Sequence, residues 1–238
     1  MSVDHHTAEL ITYYDDAAGE RTGLTAAELG SWSAATAALL VAECGLRPGH
    51  RAGVLLPPHW QTAAVLLGSW AAGLEVSFRG WGAAGLGDAG PELDVTFVER
   101  RRVGSWLEHL PAARHRFVLD LAPAGAGAAD VPEDCRDFLP AVRAHRGAAP
   151  PPHRASVTDP ATPDGTTFGE YDAVAAEVAR SRGIRRGDRV LVDAAGSEEP
   201  LIWLLAPLSA GASIVLCANL DRSRLDDRIA AEGVTRVF

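Results

Sequence analysis

Gly45-Leu46-Arg47-Pro48-Gly49-His50-Arg51-Ala52-Gly53-Val54-Leu55-Leu56 is answered, far along the chain, by Gly183-Ile184-Arg185-Arg186-Gly187-Asp188-Arg189-Val190-Leu191-Val192. The match continues without a gap, so that 45–78 overlays 183–216 with about nine identical pairs. These include Gly45/Gly183, Arg47/Arg185, Gly49/Gly187, Arg51/Arg189, Val54/Val192, Leu66/Leu204, Ala72/Ala210 and Gly73/Gly211. A fixed-offset match of this kind points to a repeated structural unit. Each copy reads as a loop, a short apolar strand, a helix and a second strand. In the first copy the strand stops at Pro57-Pro58, a helix covers His59 to Ala72, Gly73 ends it, and Leu74 to Phe78 is the next strand. In the second, Val190 to Val192, a helix over Glu198 to Ala210, Gly211 and the strand Ala212 to Leu216 follow in the same order.

Working outward, each copy is preceded by a helix. Thr25, with Glu28 three residues on, has the spacing of a capping box, and an Ala/Leu-rich run then extends to Glu43. Thr167-Phe168-Gly169-Glu170 opens the second helix, which ends at Gly183. Each copy is followed by a further strand, and Val95-Thr96-Phe97-Val98 answers Val234-Thr235-Arg236-Val237. Short apolar strands alternating with helices give an α/β fold of two pseudo-symmetric lobes with mainly parallel sheets. The lobes are expected at 1–146 and 167–238, packed as one domain. Between them, 147–166 carries Pro150-Pro151-Pro152, Pro160 and Pro163 and reads as a surface linker.

The whole sequence has 238 residues, is 47% hydrophobic and carries a net charge of −9. That is enough chain for a sizeable core, and too acidic for a nucleic-acid partner, which needs a basic stripe. Arg100-Arg101-Arg102 is the one local basic cluster noted, and reads as a solvated helix start. No apolar run approaches the roughly 20 residues that a bilayer demands, so no membrane role is expected. With no basic-then-apolar leader ahead of the first helix, the chain is read as cytoplasmic. Cys44, Cys135 and Cys217 are odd in number and widely spaced, which argues against zinc or a disulfide. All 22 basic residues are arginine. The absence of lysine removes a Walker-type phosphate loop, a Schiff base and any lysine that would stabilise an acyl-adenylate.

Leu24-Thr25-Ala26-Ala27-Glu28-Leu29, the 45–51 loop, Leu55-Leu56-Pro57-Pro58 and Trp70-Ala71-Ala72-Gly73 together resemble the opening of the adenylate-forming (AMP-binding) superfamily. Acyl-CoA synthetases, peptide-synthetase adenylation domains and luciferases belong to it. Gly187-Asp188-Arg189-Val190-Leu191, Leu204-Leu205-Ala206-Pro207-Leu208, Gly211-Ala212 and Val234-Thr235-Arg236-Val237-Phe238 resemble its second subdomain. The resemblance implies a truncated relative covering the N-terminal part of the family's large domain. It also implies a Ser/Thr/Gly-rich phosphate loop between the halves, ending in Pro-Lys-Gly. Here that place holds Asp164 followed by Gly165, Thr166 and Thr167, a worn remnant whose N–H groups could still meet an anion. The structural alternative is a turn at Asp164-Gly165 and a helix cap at Thr166 or Thr167. The family's adenine pocket, ribose-binding acid and catalytic lysine would fall beyond Phe238. Acyl-adenylate formation is therefore not expected of this chain alone, and ATP or AMP is not expected to bind strongly. The expected role is that of a pseudoenzyme, a binding or assembly protein whose partner is another copy or another protein chain.

Two rival readings belong to other classes. Gly80-Trp81-Gly82-Ala83-Ala84-Gly85 has the G-x-G-x-x-G spacing of a dinucleotide fingerprint, and Glu99 ends the next strand about 20 residues on. Gly87, Gly90 and Pro91 spoil the helix which that fingerprint requires. That reading makes the crevice between lobes the site of a metabolite enzyme. The other makes the chain one subunit of a split ligase. His59 and Trp60, and Glu198 and Glu199 in the second copy, fall just beyond the carboxyl ends of strands, where ligands of parallel sheets tend to bind.

Overall fold

The computed structural model describes residues 9–78, 92–104, 110–121, 127–128, 130–148 and 155–238. It divides into two compact units. One combines 1–30 with 174–238, and the other is 31–173. The boundaries fall early in two helices, α1 (Ala26–Ala38) and α4 (Phe168–Ser181).

The 31–173 unit is built on a sheet of order β4-β3-β5-β6-β7. Its strands are β3 (Arg51–Leu55), β4 (Glu75–Phe78), β5 (Leu93–Glu99), β6 (Ala113–Leu119) and β7 (Arg136–Asp137). All neighbours are parallel. Helix α2 (Trp60–Ala71) is buried along almost its whole length, in keeping with a sequence that is apolar or small at every position but Gln61. It passes so close to α1 that a Cβ on Gly68 would lie 2.8 Å from the Ser33 carbonyl oxygen. One face of the sheet is aromatic. Phe97 stacks on Phe117 with centroids 5.5 Å apart, and Phe138, from the short helix α3 (Phe138–Arg143), meets both edge-on.

The other unit has the sheet order β10-β8-β9-β1-β2. Its strands are β1 (Glu9–Asp15), β2 (Glu20–Thr25), β8 (Arg189–Asp193), β9 (Ser213–Ala218) and β10 (Arg236–Val237). Only the β1–β2 hairpin is antiparallel. The helix between β8 and β9 begins with a wide π turn, Leu201–Leu205, and ends as α5 (Ala206–Ala210). Helix α6 (Leu225–Glu232) leads into β10. The N-terminal hairpin, grouped with the first lobe in the sequence reading, is thus hydrogen-bonded beside β9 of the later half.

Charge fastens the hairpin. Arg228 donates to both Asp16 oxygens, at 2.9 and 2.5 Å, with both side chains almost wholly buried, and its guanidinium lies 4.1 Å above the Tyr14 ring. Glu232 on α6 accepts from Tyr14 at 2.5 Å and also from Arg21 and Arg189. Arg189 in turn donates to the Thr12 hydroxyl at 2.7 Å. A fixed bidentate geometry with every oxygen occupied is what allows charges to be buried at all.

The two matched stretches have the same local geometry. Gly45 and Gly183 have φ of 67° and 66°, and Gly49 and Gly187 have 85° and 84°. These left-handed values favour glycine and account for its recurrence. The Gly49 N–H donates to Gly73 as the Gly187 N–H donates to Gly211. β3 pairs Arg51 with Glu75 while β8 pairs Arg189 with Ser213, partners that the gap-free overlay also aligns. The third strand departs from the sequence match. Ala52 pairs with Val95, but Val190 pairs with Arg236 rather than Val234, a slip of two residues that keeps the same face inward.

Candidate functional site

In parallel sheets, ligands favour the crevice beyond the carboxyl ends of strands, at the point where strand order reverses. Chain order passes from β3 out to β4 and returns on the opposite side at β5, so this point lies between β3 and β5. β3 leads into Leu56-Pro57-Pro58-His59, and β5 into Glu99 and the arginine triplet. His59 caps α2, its Nδ1 accepting the Gln61 N–H at 3.1 Å. Complete burial pushes its pKa down to about 3, so the ring stays neutral near pH 7 and does not act as an acid–base group there. Trp60 packs on Trp32 with centroids 5.5 Å apart. Thr62 ties the strand's exit down by donating to the Pro57 carbonyl at 2.7 Å.

At the end of β5 the structure overturns one expectation. Arg100–Arg102 is a single 3-10 turn, not the start of a solvated helix, and the Arg102 side chain is 1% exposed. Its Nε lies 3.8 Å from the Glu99 carboxylate. Burial raises the pKa of Glu99, and Arg102 opposes the rise. The i, i+3 spacing of Glu99 and Arg102 was the available signal, hidden by reading three adjacent arginines as one exposed cluster. Glu99, the acid that a dinucleotide fingerprint would direct to a ribose, faces an arginine of its own chain. Gly80, Gly82 and Gly85 lie outside the described residues.

The crevice of the other sheet lies beyond β8. Ser197 is buried in the place that His59 takes in the first copy. Burial raises the pKa of Glu199, and its backbone carbonyl accepts from Ile202 and Trp203. Burial also pushes the Cys44 thiol up to about 11 and raises that of Cys217, which leaves both as poor nucleophiles. Among the described residues, no group of three His, Cys, Asp or Glu side chains is placed to hold a metal ion.

Gly165, Thr166 and Thr167 do come together, in a tight turn. The Gly165 N–H donates to the Thr162 carbonyl at 3.1 Å, and Gly165 has φ of 89°. The Thr166 N–H donates to the Asp164 carboxylate at 3.0 Å, and the Thr167 N–H to the Glu170 carboxylate at 2.9 Å. Hydrogen bonds from Thr162 and Thr166 hold the Asp164 pKa down at about 2, and those from Thr167 lower that of Glu170. Thr167 and Glu170 form a reciprocal capping box on α4, matching Thr25 and Glu28 on α1. The turn is anchored by Ala161, a buried residue within the stretch read as linker. Its carbonyl accepts from the Val76 N–H and the Trp70 indole, and its N–H donates to Thr166. An incoming anion would have to displace two carboxylates to reach these N–H groups.

No family model matches the sequence. A Mycobacterium tuberculosis protein described as a TIGR03089 family protein is 39% identical over 231 residues, covering 96% of this chain and 90% of that protein. Among solved structures, the Brucella canis acyl-CoA synthetase superposes with a TM-score of 0.68 at 18% identity, covering 99% of this chain and 45% of its own. The acetoacetyl-CoA synthetase from Streptomyces lividans gives 0.69 at 21% identity, covering 96% and 39%. The N-terminal domain of FACL13 from M. tuberculosis gives 0.68 at 14%, covering 96% and 58%. At these identities the likeness is one of fold, and it establishes the adenylate-forming, acyl-CoA synthetase-like architecture. The chain spans about half the length of the solved structures that it matches.

Proposed function

The chain belongs to the TIGR03089 family, and from that premise we propose that it is a non-catalytic binding or assembly protein on an acyl-CoA synthetase-like fold. The observation that carries this reading is the Gly165–Thr167 turn. All three of its N–H groups are satisfied by acceptors of its own chain, two of them carboxylates that would repel a phosphate. The absence of lysine from the sequence supports it, because no side-chain ammonium is present to neutralise a developing acyl-adenylate. The turn and register geometry common to 45–78 and 183–216 supports a duplicated αβ unit as the scaffold.

The test is ATP–pyrophosphate exchange across a panel of short, long and aromatic carboxylic acids. No exchange above buffer is expected, and exchange with any acid overturns the reading. Thermal unfolding with millimolar ATP and Mg²⁺ is expected to leave Tm unmoved. A ligand at 100 times its Kd would add about 2.7 kcal/mol.

A second reading is favoured by coverage. The matched structures extend well past the region shared with this chain, so a separate chain could supply the remainder of a ligase. Co-purification from the native host with such a protein, together with exchange activity only in the complex, would favour that reading over the first.

A further inference from the structure

The loop 183–189 and its counterpart 45–51 provide an internal control on what this turn requires. Both carry left-handed glycines at matching places, both donate an N–H to the glycine ahead of the following strand, and both end in the arginine that opens the strand. The first copy achieves this with one exposed arginine in the loop before Arg51, Arg47, followed by Pro48. The second has Arg185 and Arg186 there, and Arg182 stands where the first copy has the buried Cys44. Two arginines are therefore surplus to the turn's geometry.

Many of the other described arginines face a carboxylate: Arg21, Arg51, Arg114, Arg116, Arg136, Arg180, Arg189, Arg222, Arg224, Arg228 and Arg236 are examples. Arg182, Arg185 and Arg186 are exposed, and none forms an ion pair with a carboxylate among the described residues. Arg47 and Arg146 are also exposed and outside an ion pair among the described residues, but Arg182, Arg185 and Arg186 fall within five residues of one another. Arg182 instead lies over the Phe238 ring, 4.9 Å from its centroid. Asp188, the nearest acid in sequence, is engaged elsewhere. It accepts from Arg236 at 2.8 Å and from the Arg185 backbone N–H at 2.8 Å. The α4 dipole accounts for Arg180 in its last turn, but not for three more arginines beyond its end. The loop is also held still. Ile184 donates to Ala179, Gly187 to Gly211 and Arg185 to Asp188. Three exposed arginines are thus carried within five residues of a hydrogen-bonded backbone.

We infer that Arg182, Arg185 and Arg186 form a docking surface for a short acidic segment of a partner protein. Guanidinium forks suit carboxylates, which they bind in bidentate fashion. The net charge of −9 decides between a short segment and an extended polyanion. Over more than a Debye length, about 8 Å at physiological salt, a nucleic acid or an anionic membrane meets an acidic molecule and is repelled. A few carboxylates close to the loop meet the arginines, with Asp188 already engaged by Arg236 and the Arg185 N–H. The inference goes beyond the proposed non-catalytic role and does not depend on it.

The probe is a fluorescein-labelled hexaglutamate peptide, followed by fluorescence anisotropy with the full chain at low and at physiological salt. Wild type is expected to bind, more weakly as salt rises. The R182S/R185S/R186S variant is expected to lose at least tenfold in affinity, while R222S, which removes an exposed arginine elsewhere, binds as wild type does. A wild type that fails to bind overturns the inference, as does a triple variant that binds equally. A DNA duplex that binds more tightly than the peptide, through the same three residues, overturns it in favour of nucleic acid. Because the triple variant lies only in an exposed loop, an unchanged thermal unfolding curve separates lost binding from lost fold. Exchange activity in the ATP assay would remove the non-catalytic reading and leave this surface standing. Failure of peptide binding would do the reverse.

Discussion

Both units contain the same three-stranded core, β4-β3-β5 in one and β9-β8-β10 in the other, yet each is widened at the opposite edge. The 31–173 unit adds β6 and β7 beyond β5, and joins them with the Phe97, Phe117 and Phe138 cluster. The other unit adds β1 and β2 beyond β9, and joins them with Asp16–Arg228 and the Glu232 network. The difference teaches that two stretches with the same turns and central strand pairing need not share their neighbours. Apolar contact completes one sheet and buried charge the other.

Four substitutions would break or sharpen this comparison. The largest effect is expected from Phe117→Ala, which empties the centre of the aromatic cluster. It should cost about 4 kcal/mol in urea unfolding, with little dependence on pH. Next, Asp16→Asn strands the buried Arg228 and should cost about 3 kcal/mol at pH 7. The hydrogen bonds from Arg228 hold the Asp16 pKa below its usual value. Its contribution is therefore complete above the unfolded pKa near ~4 and is lost as pH falls through the lower folded value. The stability gap between wild type and Asp16→Asn should close as acid is added, whereas the Phe117→Ala gap should not. A gap that stays constant with pH would remove the ionic account of the hairpin. The smallest effects belong to the two capping boxes. Thr25→Ala and Thr167→Ala should each cost about 1 kcal/mol, and by similar amounts, because their hydrogen bonds match to within about 0.1 Å. A much larger loss at Thr167 would mean that its turn does more than start a helix.

The sequence showed the shared core well, because glycines with φ near 67° and 85° and short buried strands leave a pattern that survives divergence. The additions left little trace. β1 begins and ends in carboxylates, so Ile11, Thr12 and Tyr13 are its only wholly buried positions. β6 opens with Ala113-Arg114-His115-Arg116 and buries only its last three residues, so no apolar run announces it. At the candidate site, the Thr167–Glu170 spacing already indicated a cap. The burial of Arg102 was hidden, because a side chain's depth depends on strands that no local motif announces. The two-residue slip of β10 was invisible for a similar reason: Thr235 replaces Asp94 as the acceptor for the arginine that opens the central strand, and either side chain serves.

The strand order β9-β1-β2 has a consequence for the order of assembly. Asp16 and Arg228 stand 212 positions apart, whereas residues 31–173 form one uninterrupted stretch. During synthesis the continuous unit has all its strands in hand first. The hairpin, already made, has no neighbour until β9 leaves the ribosome. Long loop closure is slow, so the nascent chain carries an exposed two-stranded ribbon for most of its translation. That ribbon is where a chaperone would bind, and where a stalled or shortened message would leave its damage.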